Sequence, residues 1–106
     1  MSNRHEADVA ALLGARVTKS SGNQFNDQMD GRHDEGSWRF AFDGKATFGQ
    51  SIGVSRAMWD KAVDQSHGAR PLLPLRFYDD WRLNGGLDLV VADLNDLAEM
   101  IEELRR

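Results

Sequence analysis

The spacing of apolar residues changes period several times along this 106-residue chain, and each change marks an element. Ala7, Val9, Ala10, Leu12 and Leu13 cluster on one helical face ahead of Gly14, which predicts a helix over residues 3–13. Residues 15–18 can start a strand, and Lys19-Ser20-Ser21-Gly22-Asn23-Gln24 is a polar turn. Residues 26–37 are polar and punctuated by Gly31 and Gly36, with room for a short strand and turn before the aromatic run that follows. That run predicts a strand over residues 38–46. Side chains two apart share a face, so Trp38, Phe40 and Phe42 suit a buried side while Arg39, Ala41, Asp43 and Lys45 take the other.

Residues 51–67 read as a helix, with Ile52, Trp59, Ala62 and Val63 as a stripe and Gly68 as its stop. Residues 72–78 are β-like, although Pro74 cannot donate to a ladder and pushes this strand toward an edge or a bulge. The Asn84-Gly85-Gly86 turn leads into a strand at residues 87–91. Residues 93–104 close as a helix with Leu94, Leu97, Ala98, Ile101 and Leu104 on a face packed into the core. The expected order is αβββαββα, an α/β domain with a mixed central sheet flanked by helices.

Composition narrows the setting. A chain of 106 residues, 41% hydrophobic and with three Trp, forms one domain over residues 1–106. It has no cysteine, which removes disulfides and thiolate zinc sites and fits a reducing cytoplasm. The first six residues are polar and unlike a signal peptide, and no apolar run nears the ~20 residues of a membrane span. A cytoplasmic protein with no membrane partner is expected. The net charge of −4 opposes nucleic-acid binding, which depends on neutralising phosphates. Five of the acids, however, crowd into the last segment as Asp93, Asp96, Glu99, Glu102 and Glu103.

The candidate chemistry lies around Asp43 and Lys45. A carboxylate beside an ammonium, with more acids nearby, can hold a divalent metal and steady a hydroxide. Alone, Asp-x-Lys is an ordinary surface ion pair. Asp30 can lie opposite Asp43 across the sheet, in competition with Asp27 and Asp34; its plain role is a hairpin turn with Gly31. Glu6 can add a third acid, although Asn3-x-x-Glu6 also has capping-box spacing. Ser20, Ser21, Gly22 and Asn23 can donate to a phosphate or simply form a turn. His33 has no second histidine at zinc-ligand spacing.

Gly14-Ala15-Arg16, Ser21-Gly22-Asn23, Asp30-Gly31-Arg32, Phe40-Ala41-Phe42-Asp43-Gly44-Lys45-Ala46-Thr47 and Pro71-Leu72-Leu73-Pro74-Leu75-Arg76-Phe77 occur in this order. Together they resemble the PD-(D/E)XK nuclease superfamily, and within it the small Holliday-junction-resolvase-like proteins of actinobacterial bacteriophages. The resemblance spans roughly residues 6–104. It implies a restriction-endonuclease-like core and a metal-dependent endodeoxyribonuclease acting on branched DNA, with Mg²⁺ or Mn²⁺, commonly as a homodimer. A phage-encoded protein of this kind works in the host cytoplasm. Asp30 and Asp43 match the metal acids, Lys45 the catalytic lysine, Glu6 the helical acid and Ser21 a serine near the scissile phosphate. Arg16, Lys19, Arg32 and Arg56 are the expected phosphate contacts. This chain departs from the pattern in using Asp before the x-Lys, Gly between them, and no proline before Asp30. The alternatives are a catalytically silent DNA-binding or assembly module of the same fold, and a nuclease for flaps, nicks or ends.

Overall fold

The computed structural model of the protein describes residues 2–18, 29–82 and 86–106. Its elements in chain order are α1 (Ser2–Leu13), β1 (Arg16–Val17), β2 (Gly31–His33), β3 (Phe40–Phe42), β4 (Lys45–Thr47), α2 (Arg56–Gln65), β5 (Arg70–Phe77), β6 (Leu87–Ala92) and α3 (Leu94–Leu104). They form an α/β fold with a mixed open sheet and three helices. β1, β2 and β3 pair antiparallel in succession, β3 and β4 run parallel to β5, and β6 returns antiparallel along β5. The α2 crossover supplies the long connection that parallel pairing requires.

The expected strand over residues 38–46 is divided at Asp43 and Gly44. Phe40 pairs with Arg70 and Lys45 with Leu75, so β3 and β4 keep one register along the same edge of β5. They are two segments of a single interrupted strand. β5 is therefore central, not the edge strand that Pro74 suggested. Pro74 is accommodated because it falls at the interruption on one side and opposite Val90 on the other.

Both faces of the sheet are covered, and neighbouring residues of β3 show how. Phe42 is fully buried with Val9 and Ala10 of α1, with Ala15 and Leu72 at the margin. Ala41, one residue earlier, points the opposite way and is equally buried with Met29, Ala62, Ala69 and Leu73, beneath Met58 and Trp59 of α2. Ala41 thus lies in a second apolar layer, not on a polar face. Phe40 stacks on His33 with ring centroids 5.3 Å apart, and Trp38 carries the Arg70 guanidinium 4.1 Å above its ring.

The second helix starts later than expected. Gly53 and Val54 do not begin a helix well, whereas Ser55 accepts a hydrogen bond from the Met58 N–H and caps α2. At its other end His67 and Gly68 both take positive φ. The largest departure is α3: its apolar stripe forms as expected, but none of its residues is buried. No described helix is long and apolar enough to cross a membrane.

Candidate functional site

The interruption at Asp43-Gly44 gathers the site. The β2–β3 register pairs Gly31 with Phe42, and one step further sets Asp30 opposite Asp43. The Asp30 N–H donates to the Phe42 carbonyl at 2.8 Å, holding Asp30 in the ladder. Its carboxylate turns toward the break, where Oδ2 accepts the Gly44 N–H at 2.7 Å. Lys45 Nζ lies 3.2 Å from Asp43 Oδ2, with both side chains about one-third exposed.

From above, α1 contributes two buried residues, His5 and Glu6. The Glu6 carboxyl faces Asp30, so Glu6 is drawn to the sheet, and α1 begins at Ser2, which places Asn3 inside the helix and not at the capping position ahead of it. The His5 ring packs on Gly44, and its Nε2–H donates to the Pro74 carbonyl at 3.3 Å. A Cβ at position 44 would lie 2.8 Å from His5 Cδ2, so only glycine lets the helix approach this closely. Glu6 and Asp30 thereby meet beside the separate Asp43–Lys45 pair.

The electrostatics follow from the crowding. Burial pushes the Asp30 carboxyl up to about 8. Its hydrogen bond with Glu6 and the charges of Asp43 and Glu6 act in the same direction, against the Gly44 N–H. The Asp30 carboxyl is thereby held well above the usual carboxylate range. Such a group has excess acid for the positive charge around it, and its oxygen donors suit a hard divalent cation. Among the described residues no three acidic or imidazole groups converge as a ready-made metal site. Glu6 and Asp30 face each other, while Asp43 is turned to Lys45.

The expected phosphate contacts fare differently. Arg32 is buried, and its guanidinium donates to the Ser66 and Gln65 carbonyls at 3.1 Å each, satisfying the C-terminal end of α2. Arg16 is exposed and paired with Asp34 at 3.0 Å, which occupies Asp34 at the far end of β2 from Asp30. Arg56 is exposed and paired with Asp60 one turn along α2. Lys19, Ser21 and Asp27 lie outside the described residues.

Pattern reading missed Arg76. It is buried on β5 and joins Asp8 of α1 at 2.6 Å to Asp88 of β6 at 2.6 Å. The Arg76 guanidinium holds the Asp88 carboxyl below its usual range. A lone arginine inside an apolar strand was the available signal. No protein family, curated protein or solved structure matches this chain.

Proposed function

We propose that this chain is a divalent-metal-dependent endodeoxyribonuclease with a restriction-endonuclease-like core, and that its substrate is branched DNA. One observation carries the reading: Glu6 and Asp30 in hydrogen-bond contact beside the paired Asp43 and Lys45, at a break between two strand segments. Branched DNA as the substrate rests on the resemblance of the motifs around these residues to the resolvase branch of the PD-(D/E)XK nucleases.

Glu6, Asp30 and Asp43 would hold Mg²⁺ or Mn²⁺. The metal supplies polarisation of the scissile phosphate and a lowered pKa for a bound water. Asp30 must first release its proton, which makes the site more competent as pH rises toward about 8. Lys45 stands beside these acids, 3.2 Å from Asp43. In this role it orients the attacking water and offsets the negative charge that develops on the phosphate. Asp43 keeps the Lys45 ammonium in place through their 3.2 Å contact.

The second reading, a silent DNA-binding or assembly module, is favoured by one feature: the acids are satisfied by a proton and by Lys45 without converging. Incubation of labelled four-way junction and matched linear duplex with Mg²⁺, Mn²⁺ or EDTA separates the two. The nuclease reading predicts metal-dependent nicks in the junction and their loss in the double variant Asp43→Asn, Lys45→Ala. Junction binding without cleavage in any metal would replace it with the silent module.

A further inference from the structure

Two exposed rings stand just beyond the β4–β5 pair that begins with Lys45. Thr47 pairs with Phe77, and the Tyr78 N–H donates to the Thr47 carbonyl at 2.9 Å, so Phe48 and Tyr78 leave the sheet as neighbours. Their ring centroids lie 5.5 Å apart; Tyr78 is buried and Phe48 is 46% exposed. Trp81, in the turn after β5, is 76% exposed, and the Arg82 guanidinium lies 5.1 Å from the centre of its ring. We propose that Phe48 and Trp81 are stacking platforms for the unpaired bases of a DNA strand that enters the Lys45 site.

Each ring is built for a flat ligand. Tryptophan is mostly covered by its own chain in folded proteins, so an indole this open has a free face to offer. Tyr78 supports Phe48 from inside and Arg82 supports Trp81, which fixes each ring and leaves the rest of it in solvent. The Arg82 backbone N–H in turn donates to Asp80 Oδ1 at 2.9 Å and tightens the turn. Charge does not supply this contact. The turn Asp79-Asp80-Trp81-Arg82 carries two acids against one base, so phosphates gain little there and ring faces must hold the strand. A nucleobase offers such a face whatever its identity, and an arginine against the same ring adds to the attraction.

Position ties the rings to the site. Phe48 follows Lys45 by three residues, about 10 Å along an extended strand and the length of roughly three stacked nucleotides. A duplex keeps both faces of every base inside its own stack. The platforms therefore select nucleotides already unpaired near the scissile phosphate, as in a flap, a bulge or an opened junction, over continuous duplex. The identity of the occupant rests on the nuclease reading; the exposure of the rings does not.

The test is the anisotropy of a labelled oligothymidylate of about ten nucleotides, titrated with the full chain in EDTA so that nothing is cut. Trp81→Ala should bind about tenfold more weakly than the wild type, and Trp81→Phe nearly as well as it. Phe48→Leu, which keeps an apolar contact with Tyr78 but no flat face, should also weaken binding. The salt dependence should be the same throughout, because no phosphate contact is lost. Both Trp81 variants should melt with the wild type, since the side chain is exposed. Matched linear duplex should bind all four proteins alike. Absence of oligothymidylate binding, equal affinity in Trp81→Ala, or an equal loss on duplex would overturn the proposal, and the first of these would turn the rings toward a protein partner. Weaker binding by Trp81→Ala, in a protein that cuts no DNA in any metal, keeps the platforms and removes the nuclease. Junction cleavage with equal oligothymidylate affinity in Trp81→Ala removes the platforms alone.

Discussion

Pro74 on β5 occupies the ladder position opposite Gly44, and this pairing opens the sheet where the acids collect. Every second N–H along β5 faces this edge: the Arg70 N–H donates to the Arg39 carbonyl and, just past the strand, the Tyr78 N–H donates to the Thr47 carbonyl. The same alternation would have residue 74 donate to the Asp43 carbonyl, and proline has no N–H to give. Gly44 instead donates its N–H to Asp30, and the Pro74 carbonyl accepts His5. A missing donor on the central strand thus becomes the seat for Asp30, Asp43 and the first turns of α1.

Gly44→Ala tests this closeness. The new methyl must displace the His5 ring, and overpacking of this kind costs about 1–3 kcal/mol. Denaturant melts should show that loss. The Asp30 proton should also titrate differently, because the Gly44 N–H that opposes its raised pKa moves with the backbone. An unchanged midpoint would mean that α1 does not press on the strand.

Stability should fall as pH rises toward 8. The folded protein keeps a proton on Asp30 up to about 8, whereas the unfolded chain loses it near 3.8. Between these values the folded state binds more protons, so its advantage is complete below the lower one and is lost on the way to the upper. Asp30→Asn should remove this slope and add about 2 kcal/mol near pH 8, after allowance for solvent screening of a partly exposed group. Thermal melts of both proteins across this range measure it. A variant with the same slope as the wild type would place the proton elsewhere.

Arg32→Met should destabilise by about 2 kcal/mol, because the Gln65 and Ser66 carbonyls lose a buried charged donor. Its affinity for DNA at a temperature where it remains folded should match the wild type. A loss of affinity without a loss of stability would return Arg32 to the phosphate contacts.

Arg76→Met should loosen α1 from the sheet by cutting the link from Asp8 to Asp88. Both acids remain about half exposed, so the cost is about 1–2 kcal/mol, below that of a fully buried pair. Hydrogen exchange should quicken in α1 before β5. Uniform acceleration over the sheet would show that Arg76 serves the whole core instead.

Local signals explain what the sequence made readable. The aromatic run placed β3 and left room for a strand before it, so Asp30 could face Asp43 because antiparallel register depends on a short span of chain; the Asp30–Gly31 step, a hairpin signal in the sequence, instead leads into β2. The division at Gly44 was not readable from its own neighbourhood, since its cause, Pro74, lies thirty residues away on another strand. Pro74 itself suggested an edge because the usual rule considers one strand at a time. Glu6 had two partners within reach of pattern alone, a helix N-terminus and a distant carboxyl, and burial decided between them. Arg32 looked like a surface cation beside a turn, and only the end of α2 packed over it gives it buried acceptors. α3 has the periodicity of a core helix, but periodicity does not specify whether its own chain or another covers the stripe.

The central proposal is that Glu6, Asp30 and Asp43 would draw together around a divalent cation, with Asp30 giving up its proton as the cation binds. Calorimetric titration with Mn²⁺ in two buffers of different ionisation enthalpy tests it most directly. One proton should be released per ion bound near neutral pH and none well above 8, with affinity rising up to about tenfold per pH unit in between. Asp30→Asn should abolish both the release and most of the binding. Binding that neither releases a proton nor weakens in Asp30→Asn, or no binding at any pH, would contradict the account.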